Sequence, residues 1–265
     1  MTRSENFRKA FQGTMSAVGV FLVWSTLLGL LLYMPPLLAA VWTAAVGVAL
    51  VLWERRANNS WGSIQALFTP MARSTVLRAL FAAAIAAILS VTVQVWYFTL
   101  LPNASPALTE LDLYARRPHG WIAIALVLTV VLPAIEEVAF RGRLQSSLVD
   151  AMGEYAGITV GAAAFAAVHG SIAAAPFHFL MGLTFGAAAH LSGSLFLPWA
   201  MHMGVNASSY LLTAYFGAAM LPSELPVRLG VSPIFFDALS LLSSALTVNF
   251  LRHLRTTRSA HVCSW

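Results

Sequence analysis

Three short clusters in the second half of the chain combine residue types suited to proton and carbonyl chemistry. Glu136, Glu137 and Arg141 stand in the stretch Pro133-Ala-Ile-Glu-Glu-Val-Ala-Phe-Arg-Gly142, followed by Phe165 with His169 and then by His202 with Asn206. Each cluster has helical spacing. Glu137 and Arg141 are four apart and can pair one turn above the other, as neighbours on a helix surface do. Glu136 lies about 100° round the same helix and is free to face another neighbour. Phe165 and His169 share a face in the same way, and so do His202 and Asn206. One helix thus offers carboxylates, a second an imidazole, and a third an imidazole with an amide. Carboxylates and imidazoles transfer protons, and amides stabilise oxyanions. Glu136, His169 and His202 also make a set of three zinc ligands that would leave one position open to water. The plainer alternative is that these groups only bond helices to one another. A second carboxylate beside the Glu137–Arg141 pair is more than such bonding needs.

The surroundings of these groups are apolar. Hydrophobic residues make up 59% of the 265 residues and charged residues 9%, with a mean hydropathy of +0.77, which leaves too little polar surface to cover a water-soluble globule. Nucleic-acid binders, secreted disulfide scaffolds and disordered chains are excluded on the same grounds. A charged group at the centre of a bilayer costs about 2.5–3.5 kcal/mol on insertion scales, so each one there needs a reason. The net charge of +5 needs no acidic partner, because basic residues collect at membrane ends. The single cysteine, Cys263, near the C-terminus, can form no internal disulfide and is incidental.

The elements that must position the clusters are membrane helices. A bilayer core of roughly 30 Å takes about 20 apolar residues per helix. Apolar runs lie at 14–34, 37–53 (after Pro35 and Pro36) and 76–101, and a fourth starts at Trp121 and passes Pro133 toward Asp150. Shorter runs follow at 156–169, 174–190 and 195–220, and the last spans 233–251. The expectation is an all-α, polytopic transmembrane bundle of about eight helices. Residues 1–115 hold spans one to three, 116–220 the cluster-bearing core, and 221–265 the last helix with a basic tail. The N-terminal run, preceded by Arg3, Arg8 and Lys9, is too long for a signal-peptide core and lacks a cleavage motif, so it reads as an anchor.

Loop charges orient the bundle. With both termini on one side, that side collects Arg3, Arg8, Lys9, Arg55, Arg56, Arg73, Arg78, Arg143, Arg252, Arg255 and Arg258, and the other only Arg116, Arg117 and Arg228. Both termini should then face the cytoplasm. The arginine-rich, alanine-rich composition suggests a bacterial inner (cytoplasmic) membrane, crossed several times. Glu136 then lies about 24 Å along a helix entering at Gly120, and His202 about 11 Å in from the cytoplasmic end of its own. His169 fits less readily, because it ends a helix that starts on the cytoplasmic side. His178 and His190 read as interhelical bonding groups, and His119, His253 and His261 as solvated.

The ordered set EExxxR, FxxxH and HxxxN, here Glu136-Glu137-Val-Ala-Phe-Arg141, Phe165-Ala-Ala-Val-His169 and His202-Met-Gly-Val-Asn206, resembles the CPBP family of intramembrane proteases. That family includes CAAX-prenyl endopeptidases and bacterial relatives linked to bacteriocin processing and self-immunity. The stretch with Phe179, Gly182, Gly186 and Ser192-Gly193-Ser194-Leu195 is similar too, so the resemblance covers about residues 118–216. It implies an intramembrane endopeptidase in which Glu136 activates water as general base, His169 helps to hold that water, and His202 and Asn206 face the oxyanion. Glu137 with Arg141 would brace the site, and Phe140 and Phe165 would contact substrate. The expected partners are a membrane-associated or hydrophobic peptide and the lipid bilayer, with no nucleic acid. No cofactor is favoured; zinc held by Glu136, His169 and His202 is the alternative, although the HExxH signature is absent. Two readings of other classes stand beside this one: a non-catalytic scaffold or immunity protein that binds such peptides, and a proton-coupled transporter. Transporters often carry an internal repeat, and none is visible here.

Overall fold

Long apolar runs with no strand-like alternation satisfy their backbone groups as helices, the form that needs no partner segment in lipid. The computed structural model describes residues 73–100, 126–216 and 224–262, with positions 5, 8, 19, 35, 38, 41, 42 and 45. The two spans expected before residue 54, the start of the fourth at Trp121, His119 and Cys263 lie outside the described residues. In chain order the helices are α1 (Arg73–Leu100), α2 (residues 127–152), α3 (Glu154–Val168), α4 (Ala175–Ser192), α5 (Phe196–Phe216), α6 (Leu225–Arg228) and α7 (Pro233–Val262). No strand occurs among the described residues. Val76–Tyr97 in α1 and Pro233–Thr256 in α7 are long and apolar enough to cross a membrane. Their outer faces carry exposed leucines such as Leu77, Leu80 and Leu241, as suits contact with lipid.

The scaffold is a close contact of α1 with α5, made by small side chains. Ala79, Ala82 and Ala86 of α1 are buried against Met201 and Val205 of α5, with Met181, Phe185 and Ala188 of α4 joining them. Gly204 packs so tightly that a Cβ there would run into the backbone carbonyl of Ala83. Close backbone approach through small residues is how helices associate where no water drives them together. Side-chain hydrogen bonds add specificity: Gln94 Nε2 donates to Ser209 Oγ on α5 at 3.2 Å, and Trp96 Nε1 to Asp237 Oδ1 on α7 at 3.0 Å.

Helix α2 is irregular, and it carries the acidic cluster. Over Val127–Val131 and Glu137–Gln145 its backbone bonds run from i to i+5, in a wider turn than the α-helical Leu132–Glu136 between them. Such insertions recur at functional sites. They also change which way each side chain faces, which spacing rules for a regular helix do not capture. On α5, Trp199 Nε1 donates to the carbonyl of Val130 at 2.9 Å and holds the two helices in register.

The runs expected as the fifth and sixth spans form a short hairpin. Gly153, at φ +88°, ends α2 and lets the chain reverse into α3. The 15 residues of α3 reach only about 22 Å at 1.5 Å per residue, short of a roughly 30 Å bilayer core. His169 caps the helix and Gly170 turns the chain at φ +67°, and α4 then returns alongside α3. Gly182 of α4 touches Ala162 of α3. Gln145 Nε2 ties α2 to α4 by donating to the Gly186 carbonyl at 2.9 Å. At the open end of the hairpin, Glu154 meets Arg255 of α7 at 3.3 Å and His190 at 3.8 Å. His190 thus faces a carboxylate of the neighbouring helix.

Candidate active site

The site forms where the second wide turn of α2, the closed end of the α3–α4 hairpin and the middle of α5 meet. Glu137 is fully buried and joins two partners. Its Oε2 lies 3.3 Å from Arg141 Nε, one turn on, as the spacing predicts. Its Oε1 accepts a hydrogen bond from His202 Nδ1 at 2.8 Å, a contact that the spacing does not reveal. The other ring nitrogen, His202 Nε2, faces Glu136 Oε2 at 3.6 Å, too long for a hydrogen bond. Both carboxylates therefore converge on one imidazole, one holding it and the other standing across from its free nitrogen. Glu136 Oε2 is buried with no hydrogen-bond partner among the described residues.

Aromatic rings enclose this cluster. The Arg141 guanidinium lies 4.2 Å from the ring centre of Phe165 on α3 and 5.5 Å from that of Phe185 on α4. Cation–π attraction of this kind gains strength when it is desolvated. Phe185 stacks on His202 with centroids 4.9 Å apart, and Phe165 meets the same imidazole edge-on at 5.9 Å. Phe140 packs edge-on against Phe165 at 5.3 Å. Phe140 and Phe165, expected to touch substrate, are each only 2% exposed. Phe165 packs against Arg141, His169 and His202, and Phe140 packs against Phe165, instead of lining an open surface.

His169 hydrogen-bonds through Nδ1 to the carbonyl of Phe165 at 2.7 Å, which fixes its ring on the face shared with Phe165. Its plane is covered by His178 of α4, stacked at 3.9 Å with 19° between the rings. His178 was expected to bond between helices, away from the chemistry; it lies against His169 within the site. The signal was present in the sequence, since only eight residues, Gly170 among them, separate the two histidines, a spacing that a tight hairpin closes. Phe185 carried no comparable signal.

Asn206 lies one turn beyond His202 on α5. Its Nδ2 donates to the Leu128 carbonyl of α2 at 2.8 Å, so one of its two N–H groups is engaged by backbone. As for zinc, Glu136 and His202 approach one another, but no group of three His, Cys, Asp or Glu suited to a metal ion is gathered among the described residues. His169, the third ligand of that alternative, does not complete a set with them.

A buried carboxylate pair on an irregular helix, an imidazole gripped by one of them, and an amide one turn away bring together groups capable of acid–base chemistry inside a helical bundle. Residues 118–208 match the family described as type II CAAX prenyl endopeptidase, Rce1-like, which bears out the resemblance to the CPBP and CAAX proteases over that segment. No curated protein and no solved structure matches the chain. This match over about a third of the chain supports a protease, a hydrolase, and together with the two long apolar helices it points to a membrane protein.

Proposed function

We propose that the protein is an intramembrane endopeptidase that cuts a membrane-associated or hydrophobic peptide by glutamate-activated water. The observation that carries this reading is His202 set between two carboxylates, with Nδ1 on Glu137 and Nε2 across from the unpartnered Glu136 Oε2. Glu136 takes a proton from the attacking water and returns it to the leaving amine. His169 helps to hold that water. Glu137 accepts from Nδ1 and fixes the orientation of His202, the part an acidic partner plays for a catalytic imidazole. His202 Nε2–H and the second N–H of Asn206 then face the developing oxyanion. Arg141 balances Glu137, and Phe140 and Phe165 hold these groups in place. No metal takes part in this reading.

The bundle in which this happens is multi-pass, with about eight helices and both termini in the cytoplasm of a bacterial cell. The meeting of Glu154, His190 and Arg255 at one end supports a hairpin whose open end shares a side with the C-terminal helix end. Substrate reaches the site laterally from the bilayer. The test is cleavage in proteoliposomes of a library of internally quenched peptides with an acyl anchor, with a farnesyl-cysteine peptide as a separate arm. Cleavage by the unaltered chain that Glu136→Gln abolishes supports the reading. Equal cleavage by Glu136→Gln, or none by the unaltered chain, overturns it and favours the scaffold, which should keep its cellular phenotype with the near-isosteric amide.

A further inference from the structure

Pro133 has no backbone N–H, and its position in α2 decides which carbonyl is left without a partner. In the wide turn before it, Leu132 N–H donates to Val127 O. The next donor in that register would be residue 133, whose acceptor would be Leu128 O. Proline cannot supply it. The Leu128 carbonyl is thereby released from the helix inside the bundle, where an unpaired carbonyl is costly. The group that satisfies it is the Asn206 carboxamide of α5, with Nδ2 at 2.8 Å. A carbonyl accepts only, so this contact fixes which end of the carboxamide points to α2. One N–H of Nδ2 is held, and the other N–H and Oδ1 are set in known directions on the face that also carries His202.

We propose that Pro133 is a positioning residue: it frees the Leu128 carbonyl, and that carbonyl orients the Asn206 amide for the reaction. Pro133 is buried and sits three residues before Glu136, so one turn of α2 both presents the carboxylate and aims the amide on the facing helix. Trp199 Nε1 on Val130 O adds a second tie between the same turn and α5, which keeps the acceptor and the amide in register. The inference rests on the reading of Asn206 as an oxyanion donor.

Pro133→Ala restores the missing N–H, gives the helix its own donor and leaves every other site residue in place. The expected result is a fall in kcat of about 10- to 100-fold with KM nearly unchanged, the size that loss of orientation produces. Thermal stability should not fall, since the helix gains a bond. Asn206→Ala alone should cost about 10²–10³ in kcat. In the Asn206→Ala background, Pro133→Ala should cost nothing further, because the two act through one contact. A second readout needs no substrate. In protein labelled with ¹⁵N-asparagine, the Asn206 side-chain signal, assigned by its loss in Asn206→Ala, should show one slowly exchanging proton that disappears in Pro133→Ala. An unchanged kcat in Pro133→Ala, an additive double variant, or an Asn206 proton that stays protected would each overturn the proposal. If Asn206→Ala leaves kcat intact, the oxyanion role of Asn206 falls instead, and the protected proton still decides whether Pro133 sets the amide.

Discussion

Removing Arg141 tests whether the charges in this site are held by one another. In Arg141→Ala, Glu137 stays fully buried and loses the cation at 3.3 Å, and the rings of Phe165 and Phe185 lose the guanidinium between them. Breaking a buried pair by deleting one partner costs about 3–5 kcal/mol. Glu137 keeps its hydrogen bond from His202 Nδ1 at 2.8 Å, so part of its need is still met and the lower end of that range applies. A loss of about 3 kcal/mol corresponds to a fall in Tm of roughly 6–12 °C for a chain of this length. The eight tryptophans make intrinsic fluorescence a direct probe of unfolding in detergent. The double variant Glu137→Gln with Arg141→Met removes both charges, and the Gln carbonyl can still accept from His202. It should recover most of the lost stability, because an uncharged pair costs less to bury than a lone carboxylate. A Tm for Arg141→Ala within 2 °C of the unaltered chain, or a double variant no more stable than the single one, would refute the view of Arg141 as the counter-charge of Glu137.

The remaining predictions concern the imidazoles and metal. Chelation should leave purified enzyme active; one bound zinc per chain with activity tracking its occupancy would show that Glu136, His169 and His202 are ligands instead. His178→Phe, which keeps a ring over His169, should retain most of kcat, whereas His178→Ala should lose about tenfold with KM unchanged. Equal loss in both variants would show that a nitrogen of His178, and not its plane, is what matters.

The sequence made part of this legible through two simple periodicities. The long apolar runs mark α1, α5 and α7, although α7 continues to Val262, past the 251 at which the apolar run ends, because a charged helix end can leave the bilayer without unwinding. The i, i+4 pairs Glu137–Arg141 and Phe165–His169 appear as the spacing requires. What stayed hidden depends on rotation and depth. The wide turn over Glu137–Gln145 sets where α2 points its carboxylates, and no residue in that stretch signals it. His202 as the shared partner of both glutamates could not be read from either helix alone. The proline in the apolar run did carry a legible message, since a released carbonyl among helices must find a donor, but naming Asn206 as that donor needed the packing of α5. Hydropathy marked α3 and α4 as two separate runs but not their packing against each other as a hairpin, because it measures apolar length and not contact.

The shortness of that hairpin has a consequence for supply. A spanning helix keeps its unpaired backbone ends in the headgroups, whereas the 15-residue α3, with its start at one surface of the proposed bundle, would end short of the other. Each unsatisfied peptide group in hydrocarbon costs several kcal/mol, so this turn is tolerated only where protein or water meets its demand. Part of the demand is met locally, where Ser171 Oγ accepts from Ala174 N–H at 3.2 Å, while Ile172 beside it is 94% exposed. In the proposed bundle, water beside the turn would meet the rest. Hydrolysis consumes one water per bond cut, and lipid holds almost none. Under the proposed hydrolysis, the turn that ends this short helix is where the second reactant would enter.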